Sequence, residues 1–329
     1  MTAAPLMMRS GTAAAVQISR GASGWALFTL LLICPLSAAA GETSEPAPRA
    51  AQALLLGIAN TGSQLIAVGD HGIVIVSRDQ GANWSQRLTP THVLLTSVCF
   101  PDPQFGWAVG HDGVIIATRD GGGTWVRQDD GTNLDTVFLT VYFRDTLHGF
   151  AAGAYGKFFA TSDGGKTWIA AHPSADEVHY NRITAGPDGY LYLAGESGTV
   201  LVSANGGRDW TKAEVPYEGS LFGVLPLENG RIVTYGLRGH ILRSDDHGTG
   251  WATLDSAVQV LIMGGTRLHT GTVVLGGQGG NFYISRDTGQ TFTHWKSPDF
   301  GTSVADIIEG SDGSIITVGE AGAVRLKLP

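Results

Sequence analysis

The sequence predicts an all-β fold, a seven-bladed β-propeller of four-stranded antiparallel blades. Three observations carry this. Of 329 residues, 47 are Gly and only 15% are charged, and no long amphipathic helical pattern follows residue 50. A glycine pair recurs seven times. A second motif follows most of these pairs at a fixed distance, so the chain is one supersecondary unit repeated.

The first glycines of the pairs are Gly69, Gly110, Gly153, Gly195, Gly236, Gly277 and Gly319, spaced 41 to 43 residues apart. Their partners are Gly72, Gly113, Gly156, Gly198, Gly239, Gly280 and Gly322. The second motif, Ser/Thr-x-Asp-x-Gly-x-x-Trp, is an Asp box. It reads SRDQGANW at 77–84, TRDGGGTW at 118–125 and TSDGGKTW at 161–168. Degenerate copies follow at 203–210, 244–251 and 285–292, with Asn205 in place of the Asp and Phe292 in place of the Trp.

The box has a structural rationale. Gly supplies the positive φ of a tight reversal. The carboxylates of Asp79, Asp120, Asp163, Asp246 and Asp287 can accept turn N–H groups that no ladder reaches. Trp84, Trp125, Trp168, Trp210 and Trp251 then pack between neighbouring units. A turn explains every position, so these are structural residues and not catalytic ones.

Each period holds four short runs. In the second they are 95–100, 106–109, 114–118 and 124–128, which places the glycine pair between strands two and three and the Asp box between strands three and four. The last repeat supplies three runs and ends at Pro329 before its box. Ring closure then calls for an outer strand from Thr43–Arg49, where Pro46 and Pro48 suit only a sheet edge. A three-stranded last blade is the alternative.

The N-terminus reads as a secretory signal over residues 1–40, followed by a linker at 41–52 and the propeller at 53–329. Arg9 and Arg20 precede the apolar run Trp25–Leu36, and Ala38–Ala40 offer small residues for cleavage. Cys34 follows Leu-Leu-Ile, so no lipid anchor is expected. The net charge of −8 becomes −10 once Arg9 and Arg20 leave with the leader. An acidic chain repels phosphate backbones, which argues against nucleic acid as a partner. Cys99 is then the single mature cysteine, read as a small buried hydrophobe. The expected location is the periplasm or another exported compartment, and the expected state alone is a monomer.

The stretch 106–125, GWAVGHDGVIIATRDGGGTW, and the stretch 148–168, HGFAAGAYGKFFATSDGGKTW, closely resemble the repeat of the photosystem II assembly and stability factor family. The resemblance covers residues 54 to 329. It implies a seven-bladed propeller that escorts a membrane complex during assembly, without catalysis. Relatives in non-photosynthetic bacteria include some encoded near export pumps of the resistance–nodulation–division type.

Asp boxes also occur in sialidases, so a sialidase-like glycoside hydrolase or a glycan-binding propeller is the rival reading. No Phe-Arg-Ile-Pro motif occurs in the chain. The candidate acids Asp70, Asp112, Glu196 and Glu320 sit in glycine-pair turns of different blades, where turn roles account for them. A small ligand in the central channel is a third possibility. No HExxH or Cys/His cluster points to a metal, although His71, His111 and His92 share a sector. Glycine-rich turns with no following helix exclude dinucleotide binding, so no cofactor is expected.

Binding is therefore assigned to the face that carries the strand two–three turns and the blade links. Tyr155, Tyr180, Arg182, Tyr217, Arg238 and Phe300 are the expected anchors, since aromatic and Arg side chains dominate protein interfaces. His71 and His111 lie on the same face.

Overall fold

A computed structural model of the chain describes residues 43–129, 131 and 133–329. The expected signal segment lies outside the described residues. The rest forms seven antiparallel sheets in strict chain order, six of four strands and one of three. In the first blade the strands are Leu55–Asn60, Leu65–Gly69, Val74–Ser77 and Ser85–Arg87, running from the channel outward.

Burial follows that order. The second strand is buried at every residue in six blades, for example Leu65–Gly69 and Ile315–Gly319. A strand covered on both faces reads as a continuous apolar run, as LIAVG and IITVG do. The fourth strands are two to four residues long and mostly exposed, for example Val126–Arg127 and Thr293–Lys296.

The hydrophobic core is a ring of seven separate clusters, one in each space between consecutive blades. Ile66, Val68, Leu95, Ile116 and Trp125 fill the space between the first and second blades. Ile58, Leu65, Ile75, Ile316 and Val318 fill the seam where the seventh blade meets the first, with Trp84 against them. Trp107 and Phe143 stack at 3.6 Å between the second and third.

The glycine pairs are explained by close approach. The first of each pair is extended, with φ −175° at Gly69. A Cβ there would lie 2.1 Å from the Leu54 carbonyl oxygen, and one at Gly153 would lie 1.9 Å from that of Val137. The turn is therefore pressed against the start of its own inner strand. The second glycine meets the next blade link. At Gly72, φ is +67° and a Cβ would sit 2.1 Å from the Thr91 carbonyl oxygen.

The Asp boxes form the expected turns, with a more specific division of labour. The Ser77 hydroxyl donates to Asp79 Oδ1 at 2.8 Å and accepts the Gly81 N–H at 2.7 Å. Asp79 in turn accepts from the backbone and side chain of Asn83 at 2.8 and 2.7 Å. Thr118–Asp120–Thr124 and Thr161–Asp163–Thr167 repeat the pattern. The Asn205 substitution is balanced within its own turn: its amide Nδ2 donates to Asp209 Oδ2 at 2.7 Å, and its Oδ1 accepts the Asp209 N–H at 3.0 Å.

Residues 43–49 do not form the expected closing strand. Ser44 N–H donates to the Thr89 carbonyl at 3.0 Å and Ala47 N–H to Gln86 Oε1 at 2.7 Å, so the segment lies along the first blade. Pro46 and Pro48 have no N–H to give a ladder. A 3₁₀ turn at Ala50–Gln52 then leads into the first inner strand. The last blade keeps three strands, Val304–Glu309, Ile315–Gly319 and Gly322–Leu326.

Candidate binding face

The strand two–three turns and the blade links lie on one face of the ring, joined by main-chain bonds such as Asp70 N–H to the Leu54 carbonyl and Gly72 N–H to that of Val93. At the tip of most turns a residue is held in the left-handed region. It is His71, Asp112, Tyr155, Ser197 and Arg238 in the first five blades, with φ between 52° and 57°. A left-handed backbone flanked by a glycine that fits beneath the link turns the tip side chain away from the blade. Five of the seven turns thus display a polar or aromatic group.

The expected anchors divide into three groups. Tyr155, Tyr217 and Arg238 remain at the surface of the third to fifth blades. Tyr155 is 69% exposed and meets His179 edge-on with ring centroids 4.7 Å apart. Tyr217 is half-buried, stacked on His240 at 4.1 Å, and its hydroxyl donates to the Leu237 carbonyl at 3.1 Å. Arg238 is exposed beside Leu237. His71 is exposed and paired with Asp70 at 2.8 Å, and His111 is half-buried.

Tyr180 and Phe300 are core residues with too little exposed surface to serve as anchors. Tyr180 is 0% exposed, at the start of an inner strand, with Phe158, Leu193 and Leu201 in its cluster. Phe300 is 7% exposed and lies against Phe282 in the space between the sixth and seventh blades. Burying each ring gains a few kcal/mol, which outweighs leaving it in water.

Arg182 sits inside the channel mouth and not on the outer face. It belongs to the inner strand Tyr180–Ala185 of the fourth blade, and its Nη1 lies 2.8 Å from Asp306 Oδ1 on the inner strand of the seventh. The pair spans the ring. Burial and the facing positive charge act in opposite directions on their surroundings: the Tyr235 hydroxyl, buried beside the pair, is pushed up to about 12 by desolvation, with Arg182 opposing that shift.

Three of the four candidate acids of a hydrolase serve the turns, and Asp112 is itself a left-handed turn tip. Glu196 accepts the His179 N–H at 3.2 Å and Glu320 accepts the Ser303 N–H at 3.1 Å, one link residue in each case. Asp70 caps the His71 N–H at 2.9 Å. Among the described residues no three His, Cys, Asp or Glu side chains are gathered as a metal would require. Among them, too, no helix is long and apolar enough to cross a membrane. Cys99 is half-buried and its sulfur accepts the Phe143 N–H at 3.3 Å; desolvation pushes its thiol up to about 11, which disfavours the thiolate.

Sequence reasoning missed Asp306 and His240. Asp306 had a signal available. Its repeat position is the first residue after the bulge in each inner strand, and the others are Gly57, Ser97, Thr140, Arg182, Gly223 and Gly264. Aligning the repeats shows two opposite charges among five small residues.

Seven blades, Asp-box turns and a displayed loop face define a bacterial-neuraminidase-type repeat propeller. Residues 130–326 match the family described as photosynthesis system II assembly factor YCF48, and the chain belongs to that family. The fold is shared with a solved structure described as YCF48 bound to D1 peptide, at 21% identity and a TM-score of 0.70, covering 84% of this chain and 94% of that one. YCF48 from Cyanidioschyzon merolae is similar at 17% identity and a TM-score of 0.67, covering 85% and 97%. A streptogramin B lyase shares the architecture at 12% identity and a TM-score of 0.71, covering 84% and 94%. No curated protein sequence matches the chain.

Proposed function

We propose that the chain is a non-enzymatic propeller scaffold that binds a protein segment of a membrane complex and assists its assembly or function. Family membership carries this reading, together with the solved structure of a YCF48 holding a D1 peptide. The geometry supports it in two ways. Asp70, Glu196 and Glu320 are engaged in main-chain bonds, and the turn tips of the third and fifth blades place Tyr155 and Arg238 outward, with Tyr217 half-buried in the link before the fifth blade. Aromatic rings and a guanidinium on a rigid frame lose little entropy on contact and suit a peptide partner.

In this reading the protein is exported and acts as a monomer in the periplasm or an equivalent compartment, which suits the basic and apolar leader. The partner is a photosystem II subunit, or a component of an export pump in a non-photosynthetic source. The test is crosslinking in the native membrane followed by capture of the tagged full-length chain. Capture should enrich one membrane complex, and Y155A combined with R238E should lower the yield about tenfold or more, the loss of two interface anchors. Equal capture by the double variant would reject this face. Release of sugar from a glycan panel would reject the non-enzymatic reading.

A further inference from the structure

Among the described residues no strand is shared across the seam between the first and seventh blades. Elsewhere in the ring the chain itself crosses from blade to blade. At the seam the seventh blade ends with three strands, and residues 43–49 lie along the first blade instead. Apolar contact through Ile58, Ile316 and Val318 fills the space, but such contact is non-directional.

Three blades meet at one carboxylate beside this seam. Asp306 Oδ1 accepts from Arg182 Nη1 of the fourth blade at 2.8 Å and from its own strand's Ile307 N–H at 2.9 Å. Asp306 Oδ2 accepts a long bond from the Ile58 N–H of the first blade at 3.5 Å. The same repeat position makes the same link at two ordinary interfaces. Ser97 Oγ accepts the Val141 N–H at 3.2 Å and Thr140 Oγ1 accepts the Ile183 N–H at 3.1 Å. A hydroxyl suffices there. At the seam a carboxylate takes its place and gains a guanidinium from across the ring.

The remaining members of this position keep the crossing free. Gly57 and Gly264 let neighbouring inner strands approach, since a Cβ would lie 3.1 Å from Ser97 Cα and 3.0 Å from Asp306 Cα respectively. Gly223 leaves room for the Tyr235 hydroxyl, which a Cβ would meet at 2.3 Å. The side chains of Arg182 and Asp306 are 25% and 12% exposed, so salt screens their attraction less than that of a surface pair.

We propose that the Arg182–Asp306 pair is the clasp of the ring, holding the seam between the last and first blades closed by tying the seventh blade to the one opposite. Removing either partner leaves a charge in a confined, partly desolvated mouth, and the cost falls on the interface that has no chain connection. The same bar obstructs the channel mouth to a ligand entering from the loop face.

Hydrogen–deuterium exchange of the full chain tests this. In Arg182→Met, which keeps the stem and removes the charge, amides of Leu55–Asn60 and Val304–Glu309 should exchange on the order of tenfold faster, while Gly106–Gly110 and Ile115–Thr118 of the second blade keep their rate. Arg182→Lys keeps the charge but not the fork, and should show a smaller acceleration confined to the same peptides. Unchanged seam exchange in Arg182→Met overturns the proposal. So does acceleration spread evenly over all blades. Should Arg182→Met fail to fold, Arg182→Lys decides alone: acceleration at the seam supports the clasp, and none refutes it.

Discussion

Replacing glycines by alanine separates the two demands the turns make on the backbone. Gly62 has φ +87° and open space where a Cβ would go. Gly62→Ala therefore pays only the left-handed penalty, about 1 kcal/mol. Gly69 is extended, so alanine meets no backbone penalty there, but its Cβ would lie 2.1 Å from the Leu54 carbonyl oxygen and 2.7 Å from Leu55 Cα. Ordinary contact is above about 3.2 Å, so turn and inner strand must part by roughly 1 Å. In a packed interior such overfilling costs about 3 kcal/mol or more. Gly72 combines both demands, and Gly72→Ala should cost about 4 kcal/mol or more. Urea denaturation followed by Trp fluorescence and circular dichroism reads all three. A Gly69→Ala protein as stable as Gly62→Ala would refute the close-approach account and return the glycine pair to simple turn flexibility.

Three further outcomes follow from the boxes and the core. Hydrogen bonds from the side chain and backbone of Asn83 and from Ser77 hold the Asp79 carboxyl at about 2, and Thr167 does the same for Asp163. A depressed folded value means stabilisation fully present above the unfolded value near 3.9 and lost as pH falls towards about 2; Asp79→Asn should flatten that part of a pH–melting curve, and an unchanged slope would contradict the assignment. Asn205→Asp sets two carboxylates at the present 2.7 Å contact with Asp209, and should lower the melting temperature at pH 7 but much less near pH 3. Cys99 should react with a thiol reagent at least about a hundredfold more slowly in the native protein than in urea, because desolvation of the half-buried side chain keeps its thiol poorly ionised; equal rates would show that the inner strand opens freely.

The blades were legible because the repeat fixes strand order, and the Asp boxes were legible because each position has a turn role. The anchors were not, because exposure is set by register. Tyr180 occupies the repeat position of Leu55, Leu95, Phe138, Leu221, Ile262 and Val304, all fully or almost fully buried, and a column of six apolar residues marks it as core. Phe300 and Tyr217 defeat even that device. Their carbonyls meet Gly280 and Gly198 in the same way, yet one ring turns inward onto Phe282 and the other lies over His240. The closing strand failed for a local reason, since two prolines in seven residues remove the donors a ladder needs.

Because apolar burial is confined to the spaces between wedges, the molecule behaves as a closed one-dimensional array with no end units. A blade cannot fray without breaking contact on both its sides, so cooperativity is imposed by circularity and not by a common centre. Apart from the Arg182–Asp306 pair, which joins two non-adjacent wedges, substitutions in non-adjacent wedges should add independently, and those in adjacent wedges should couple. Such a frame lets loop sequences diverge on one wedge while the others carry the fold unchanged.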